Sequence, residues 1–300
     1  MASVTSNMDI NILAGVTLGA LVTQLDALEA FTTKLDGNVI YGDSVKVEVQ
    51  GLTKDAAAYN SSSNNFETVG ADTTTGVDVV IDQLIKKTAE VAFTDIGRID
   101  ITKKLEGLAK SVVYKMLLDS YNTLIAATYT NAEKVVGAAS AFDQDLVVDL
   151  EVEANDFDMA FPRSLVVRDN YLATLKKEGL IVANMNREGT PSTVWSGIEG
   201  IANFSIMGSN IIKDISGTAA SENLVGFYTD KSAMAIATGI PPVPAGIGYE
   251  VANVVDDKTG LTLQLMRHTQ LSTGNVMLNA VLAYGRGVAR VGGLTRLVSA

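Results

Sequence analysis

The sequence of 300 residues contains no cysteine, so it can form neither a disulfide framework nor a thiolate metal site. Aromatic residues make up only 6% of the chain, and His268 is its one histidine. The chain also lacks an apolar run of about 18 residues, the length that a membrane-spanning helix requires. No lysine or arginine precedes Lys34, so the basic region of a signal peptide is missing. We therefore expect a soluble chain that is intracellular when it is made.

Basic residues are the minority among the charged ones. The chain has 23 Lys and Arg against 34 Asp and Glu, for a formal net charge of −11. A protein that reads a nucleic-acid sequence usually carries a basic face, so this balance argues against sequence-specific DNA binding. Hydrophobic residues make up 47% of the chain, enough for a large core, and the length of 300 residues suits one large or two medium domains.

Apolar residues recur with two different spacings in the first half of the chain, one typical of helices and one typical of strands. Apolar residues at helical spacing predict amphipathic helices over residues 17–35 and 100–129, the second roughly 40 Å long. Apolar residues that alternate with polar ones predict half-buried strands at 45–49 and 77–81. These two strands bracket one polar segment, so we expect them to form a long hairpin.

That segment, "QGLTKDAAAYNSSSNNFETVGADTTTGVDV" at residues 50–79, is small, polar and aperiodic for most of its length. Structureless loops beyond about 12–15 residues are uncommon in compact domains. Either the segment is disordered, or something outside its own domain orders it.

The second half mixes helix and strand patterns. "RSLVVRDNYLATLKKEG" at 163–179 predicts a buried strand and then a helix, with Asp169 as N-cap and Gly179 at the C-terminal end. Residues 141–154 predict a shorter helix. Further strands are predicted in "FSIMGSNII", "LTLQLMRH" and the glycine-broken stretch 276–298. The chain is therefore predicted to be an α+β protein.

Residue patterns for catalysis or cofactor binding are missing. "GRGVAR" at Gly285 and "GIGYEV" at Gly246 lack the third glycine of the dinucleotide fingerprint, and no Gly-Lys dipeptide supports a phosphate loop. We assign His268 a structural or surface role ahead of an acid–base role. Paired carboxylates match no calcium or zinc spacing and indicate solvated surface, with weak divalent binding at an interface as the alternative. We predict no enzyme activity, cofactor or metal.

The order of the elements resembles that of the major capsid proteins of tailed bacteriophages, which have the Hong Kong 97 type fold. In that family an N-terminal arm, an extended loop, a spine helix, a peripheral domain and an axial domain follow one another in this order. The segments that carry the resemblance are "RSLVVRDNYLATL", "GIEGIANFSIMGSN", "GFYTDKSAMAIATG", where a small-residue helix would follow, and "AYGRGVARVGGLTRLVS".

The resemblance implies a division of the chain and a role for its polar segment. It implies an N-arm and helix at 1–36, an extended loop at 37–82, a peripheral domain with the spine helix at 83–155 and 276–300, and an axial domain at 156–275. The loop tip would lie across an adjacent subunit, with Tyr59 and Phe66 as anchors. Some relatives join subunits through Lys and Asn side chains; Lys54 and Asn64 are contact candidates, but no pattern assigns them that chemistry.

Three arginines are further candidates for contact between subunits. Arg286, Arg290 and Arg296 are all even-numbered, so an uninterrupted strand would place them on one face. A solvated strand face is the simplest interpretation. The alternatives are a row of cations that pairs with acidic patches of a neighbouring copy, or basic residues that face packaged DNA.

The resemblance implies a structural protein, not an enzyme. Many copies would assemble into the pentamers and hexamers of an icosahedral phage head that encloses double-stranded DNA without sequence specificity. The chain would belong to the virion, and to the host cytoplasm during assembly, with no membrane partner. A portal and a separate scaffolding protein are expected, since no long scaffolding segment precedes the arm, and a decoration protein is allowed. The alternatives are an encapsulin-like nanocompartment with the same fold and an enzyme with a spatially assembled acidic site.

Overall fold

The computed structural model describes residues 28, 30–32, 39–49, 75–92, 94, 101–124, 133–177, 198–214, 224–243, 248–255 and 260–299. The α-helices are α1 Ile101–Leu124, α2 Gln144–Asp156 and α3 Asp169–Lys177. The strands are β1 Val39–Ile40, β2 Ser44–Val49, β3 Thr75–Val80, β4 Gln83–Val91, β5 Lys134–Val135, β6 Arg163–Val167, β7 Ile198–Ile201, β8 Phe204–Gly208, β9 Leu224–Asp230, β10 Met234–Ile240, β11 Glu250–Val255, β12 Thr262–Thr269, β13 Val276–Val288 and β14 Leu294–Val298. The α+β class is confirmed.

Strand β13 is the centre of the first sheet, which has the order β1-β10-β13-β12-β11 with β4 also paired to β13. Ala283 pairs with Leu84 of β4 and with Gly239 of β10, so these two strands lie on opposite edges of β13. Side chains of β13 alternate between two environments, as strand geometry requires. Leu282 is buried in the core around α1, whereas Ala283 is buried on the other face of the sheet.

The second sheet has the order β5-β14-β9-β6-β8-β7, and its strand β6 is buried on both faces. Leu165 and Val167 lie in one core with residues of α2 and α3, while Val166 lies in the core around α1. The continuous apolar run of β6 therefore reflects burial on both sides, as predicted. Helices α2 and α3 cover one face of this sheet, and α1 lies against the other.

Helix α1 is shared between the two sheets and is about 36 Å long. Its buried stripe packs in one core with residues of both sheets, and Tyr121 contacts Phe227 of β9 and Phe31 near the N-terminus. The ring centroid of Tyr121 lies 5.2 Å from that of Phe227 and 5.3 Å from that of Phe31, and both ring pairs are edge-to-face. The long helix predicted from residues 100–129 is confirmed over Ile101–Leu124.

The predicted hairpin is present as the antiparallel pair β2–β3, in which Val49 lies opposite Thr75. It packs on the face of the first sheet away from α1, where its valines meet small side chains of β10 and β13. A Cβ on Gly285 would lie 2.0 Å from the Val80 carbonyl oxygen, and one on Gly287 would lie 2.9 Å from Val77 Cγ1. Glycine is therefore required where the hairpin crosses β13.

Three local predictions differ from the structure. Residues 234–240 form β10 rather than a small-residue helix, because Ala235 faces the hairpin while Ile236 faces the core around α1. Asp169 is the first residue of α3, not its N-cap, since the Arg168 carbonyl before it accepts the N–H groups of Tyr171 and Leu172. Residues 210–214 form a 3₁₀ helix instead of continuing β8.

Two predicted segments lie mostly outside the described residues. Of the predicted helix over 17–35, the described residues are Leu28 and 30–32; Leu28 and Phe31 are buried in the core around α1. The loop segment 50–74 lies wholly outside the described residues.

Each of the two sheets contains strands from both sides of the predicted domain boundary at residue 275. Strands β10, β11 and β12, from the predicted axial segment 156–275, form one sheet with β13, while β14 from 276–300 pairs with β9 in the second sheet. The assignment of these segments to peripheral and axial domains of a shell stays a prediction.

We expect the change Gly285→Ala to lower the free energy of unfolding by about 1–3 kcal/mol, because the added methyl group overlaps the Val80 carbonyl. Gly107 on α1 provides the control: a Cβ there meets nothing within 4 Å. Gly107→Ala is expected to raise the stability by up to about 1 kcal/mol through helix propensity. Urea denaturation of the unassembled chain measures both, and equal effects of the two substitutions would contradict the close approach.

Candidate assembly surfaces

The two strands of the hairpin are joined to each other at its base, next to Tyr41, whose N–H donates to the Ile240 carbonyl of β10 at 3.4 Å. The Gly42 N–H donates to the Ile81 carbonyl at 3.0 Å, and the Ile81 N–H donates to the Asp43 carbonyl at the same distance. At the other end of the hairpin, Val49 and Thr75 lie directly opposite each other. The two ends of segment 50–74 are therefore held at adjacent points.

Four predicted contact residues belong to that loop. Lys54, Tyr59, Asn64 and Phe66 lie outside the described residues. Their role between subunits stays a prediction.

The three arginines do not share one strand face. Strand β13 ends at Val288, a 3₁₀ turn follows at Val291–Gly293, and β14 then enters the second sheet. The chain changes sheets between Arg290 and Arg296, so no single strand holds all three arginines. Each of the three side chains has a partner within its own chain. A contact with a neighbouring copy stays a prediction.

Arg286 belongs to a short chain of hydrogen bonds that reaches α1. Its Nη1 donates to Tyr284 Oη at 3.1 Å, and this hydroxyl donates to Asp119 Oδ2 at 3.1 Å. Burial raises the pKa of the Tyr284 hydroxyl, and the nearby Asp119 carboxylate acts in the same direction. The phenol therefore keeps its proton at neutral pH and ties β13 to α1.

Arg290 closes a junction around the buried carboxylate of Asp230. Its Nη1 lies 3.4 Å from Asp230 Oδ2, and its Nη2 donates to the carbonyls of Phe157 and Asp158 at 3.3 and 3.0 Å. Asp230 is fully buried and also accepts the N–H of Ala160 at 3.0 Å. These contacts join the ends of β9, β13 and α2 at one place.

A glycine and an Asx turn complete the junction. Asp230 Oδ1 accepts the Ser232 N–H at 2.8 Å, which forms the turn between β9 and β10. A Cβ on Gly293 would lie 2.8 Å from the same carboxylate oxygen. Sequence reasoning missed Asp230; the one local signal was its Asp-x-Ser turn pattern, which does not reveal the distant arginine.

Arg296 lies at the edge of the second sheet. Its Nη2 donates to Glu133 Oε2 at 2.6 Å, and the neighbouring Lys134 lies 3.0 Å from Glu153 of α2. Both pairs are partly exposed, and such pairs stabilise a protein by about 0–1 kcal/mol. They link α2, β5 and β14.

The side chains of His268 and Asp143 make contacts that stabilise the fold. The ring of His268 packs edge-on against Tyr249, with centroids 4.7 Å apart. Asp143 is the N-cap of α2 and accepts the Leu146 N–H at 3.0 Å. Within the described ranges, no cluster of three or more His, Asp or Glu side chains is placed to hold a metal ion. The described helices include none that is long and apolar enough to cross a membrane.

No family model matches the chain, and no curated protein matches it either. Solved structures do. The chain is similar to the virus-like particle from Pyrococcus furiosus, at 12% identity over 96% of this chain and 98% of that chain, with a TM-score of 0.54. It is also similar to the capsid of Ralstonia phage GP4, at 11% identity over 91% and 90% of the two chains and a TM-score of 0.53. The capsid of cyanophage P-SCSP1u gives 13% identity over 90% and 89%, with a TM-score of 0.52.

This chain has the Hong Kong 97 type capsid fold. The fold expected from the order of elements is thereby confirmed. At these identities the similarity shows the fold alone. The residues that stabilise the Hong Kong 97 type fold in this chain are therefore identified from its own packing. They include the buried stripe of α1, the two-sided strand β6 and the glycines under the hairpin.

We expect Asp230→Ala to lower the free energy of unfolding by about 3–5 kcal/mol, because it leaves the Arg290 charge and the N–H groups of Ala160 and Ser232 without their acceptor. Asp156→Ala is the matched control, since this exposed carboxylate at the end of α2 should change stability by less than about 0.5 kcal/mol. Chemical denaturation measures both. A small effect at Asp230 would show that the junction does not hold the fold together.

Proposed function

We propose that this chain is a structural subunit that assembles with many copies of itself into a closed icosahedral shell, the head of a tailed bacteriophage around double-stranded DNA. One observation carries the proposal: the likeness to three solved shells extends over about nine-tenths or more of both chains, although identity is at most 13%. The shared fold therefore spans the whole chain and not one part of it. In the three similar structures, the chain with this fold is a subunit of a shell.

The hairpin supplies the contact that extends beyond the subunit. Residues 37–82 act as the extended loop, whose tip lies across an adjacent subunit and is anchored by Tyr59 and Phe66. Residues 1–36 form the N-arm and its helix. The peripheral domain with spine helix α1 comprises 83–155 and 276–300, and the axial domain comprises 156–275. The support is the base of the hairpin, where both strands are held in register and leave the body side by side.

Assembly follows from repeated weak contacts. The loop of one copy binds a different surface of the next, so the contact is heterologous and closes into rings when the rotation between copies allows it. Pentamers and hexamers are the rings that an icosahedral head uses. Each contact can be weak because a subunit that engages several neighbours gains effective concentration. Lys54 and Asn64 are candidates for such contacts in the loop, as are Arg286, Arg290 and Arg296 in the body.

The head requires partners besides further copies. A scaffolding protein and a portal protein act during assembly in the host cytoplasm, and a decoration protein can bind the finished shell. The shell encloses DNA without sequence-specific contacts, in keeping with the net charge of −11. No catalytic role is proposed, because the polar side chains described above serve as caps, ion pairs and hydrogen bonds.

A second candidate is an encapsulin-like protein compartment. The similarity to the virus-like particle from Pyrococcus furiosus, which covers 96% of this chain, favours it. Neighbouring genes separate the two: terminase and portal genes indicate a phage head, and a cargo-enzyme gene indicates a compartment. An enzyme with an acidic site assembled in space would instead turn over a small substrate as a monomer.

We expect the expressed chain, alone or with its scaffold, to form rings or closed shells. Burial of the loop tip on a neighbour favours association, so sedimentation should show species far heavier than the 31.6 kDa subunit. Negative-stain microscopy should show closed particles. A monodisperse monomer under all conditions would contradict the proposal.

We expect deletion of residues 54–74 to leave the subunit folded and to block shell formation, because the tip contributes to a neighbouring subunit and not to its own core. Circular dichroism and thermal melting measure folding, and sedimentation measures assembly. A matched control replaces Tyr59 and Phe66 by serine and keeps the loop length; it should weaken assembly without changing the melting temperature. Unfolding upon deletion would mean that the loop belongs to the core of its own subunit.

A further inference from the structure

Charge is divided unevenly between the two longest helices in the described part of this acidic chain. Helix α2 carries five carboxylates and no basic residue. Helix α1 carries four lysines against two carboxylates, Glu106 and Asp119; the lysines are Lys103, Lys104, Lys110 and Lys115. Helix α1 is therefore a basic element in a chain whose net charge is −11.

The lysines of α1 lie on the side of the helix away from its buried stripe. Lys103 and Lys115 are exposed, and Lys104 and Lys110 are half-buried along their stems. Gly107 and Ser111, both exposed, lie between them on the same side. Of the two carboxylates, Asp119 is already engaged by Lys115 and by the Tyr284 hydroxyl. The outward side of α1 is thus dominated by positive charge.

Strand β4 adds a fifth cation to this surface. Ile85 and Ala89 pack against the core around α1, so Lys87 between them lies on the same side of the strand, whereas Lys86 lies on the opposite side. Lys104 Nζ donates to the Glu90 carbonyl of β4 at 3.2 Å, which places the start of α1 beside this strand. We call the five residues Lys87, Lys103, Lys104, Lys110 and Lys115 the basic face.

Of the five lysines on the basic face, Lys87 and Lys110 make no ion pair with any other residue in the described part of the chain. Helix α1 is held by its buried stripe, while like charges gathered on one surface repel each other. An external anion would remove that repulsion.

We propose that the basic face binds the phosphates of double-stranded DNA inside the shell; this inference rests on the proposed function. Residues 103–124 of α1 include no exposed large apolar side chain, which argues against a protein partner, since protein interfaces need an apolar core and are depleted in lysine. Phosphate contacts need only flexible point charges. Lys103 and Lys115 are about 18 Å apart along the helix, the axial length of about five base pairs.

The acidic remainder of the chain complements this face. Carboxylates such as those of α2 repel DNA, so the polymer contacts the basic face and little else. Binding is then weak, independent of sequence and strongly dependent on salt, because it arises from the release of counterions.

The test uses the full-length unassembled subunit and a short labelled DNA duplex, with fluorescence anisotropy measured over a range of salt concentrations. The double variant Lys87→Gln/Lys110→Gln removes two charges from the basic face. Lys86→Gln/Lys177→Gln removes two charges from exposed positions elsewhere, on the far side of β4 and at the end of α3. We expect the first variant to bind more weakly and to reduce the slope of log affinity against log salt by about two. The control should keep the wild-type slope.

A second measurement needs no variant. Lysine acetylation of the wild-type subunit, read by mass spectrometry with and without the duplex, should show protection of Lys87 and Lys110 and none of Lys86 and Lys177. Equal protection of all four, or equal slopes for both variants, would mean that binding follows net charge and would overturn the inference.

The remaining outcomes separate this inference from the proposed function. If the wild-type subunit forms shells but does not bind the duplex, the inference fails and the proposed function stands. If Lys87→Gln/Lys110→Gln abolishes assembly at unchanged DNA affinity, the basic face contacts an acidic surface of another copy, and the inference is again overturned. If no shell forms but the anisotropy results are as expected, the proposed function fails and the basic face is still a DNA-binding surface.

Discussion

The burial of helix α1 between two sheets is the constraint on which the rest of this structure depends. Its apolar stripe lies in a single core with residues of both sheets, and Tyr121 joins β9 to the N-terminal segment through Phe31. Each buried apolar side chain of this kind stabilises the fold by about 1.5–3 kcal/mol. Because one helix serves both sheets, a change in its packing alters their relative position. The polar side of the same helix is left free to carry charge.

Two further features hold the layers in place, and each depends on a close contact between segments that are distant in the sequence. Gly285 allows the Val80 backbone of the hairpin to lie directly against β13, and Gly287 leaves room for the Val77 side chain. The Asp230 carboxylate gathers the ends of β9, β13 and α2 through Arg290 and backbone N–H groups. The first feature positions the element proposed to contact a neighbour, and the second ties the two sheets together.

Elements with a strong period could be predicted from the sequence, whereas contacts between distant segments could not. The stripe of α1, the alternation of β2 and the apolar run of β6 each reflect one local environment. By contrast, the choice between helix and strand at 234–240 depended on the hairpin that packs against Ala235. The three arginines do not lie on one strand face, because the 3₁₀ turn at Val291–Gly293 sends the chain into the other sheet. Asp230 and the basic face appear only once the fold brings separate segments together.

The way the hairpin is built has a mechanical consequence. Its strands run antiparallel in a ladder that extends from Ser44 opposite Val80 to Val49 opposite Thr75. The hydrogen bonds of such a ladder lie across the strand direction. Tension drawn along the axis of one strand therefore loads the whole ladder in shear, so the bonds share the load instead of opening one after another. In the assembly proposed above, a neighbour that held the far end of the hairpin would pull along its strands and not across the ladder.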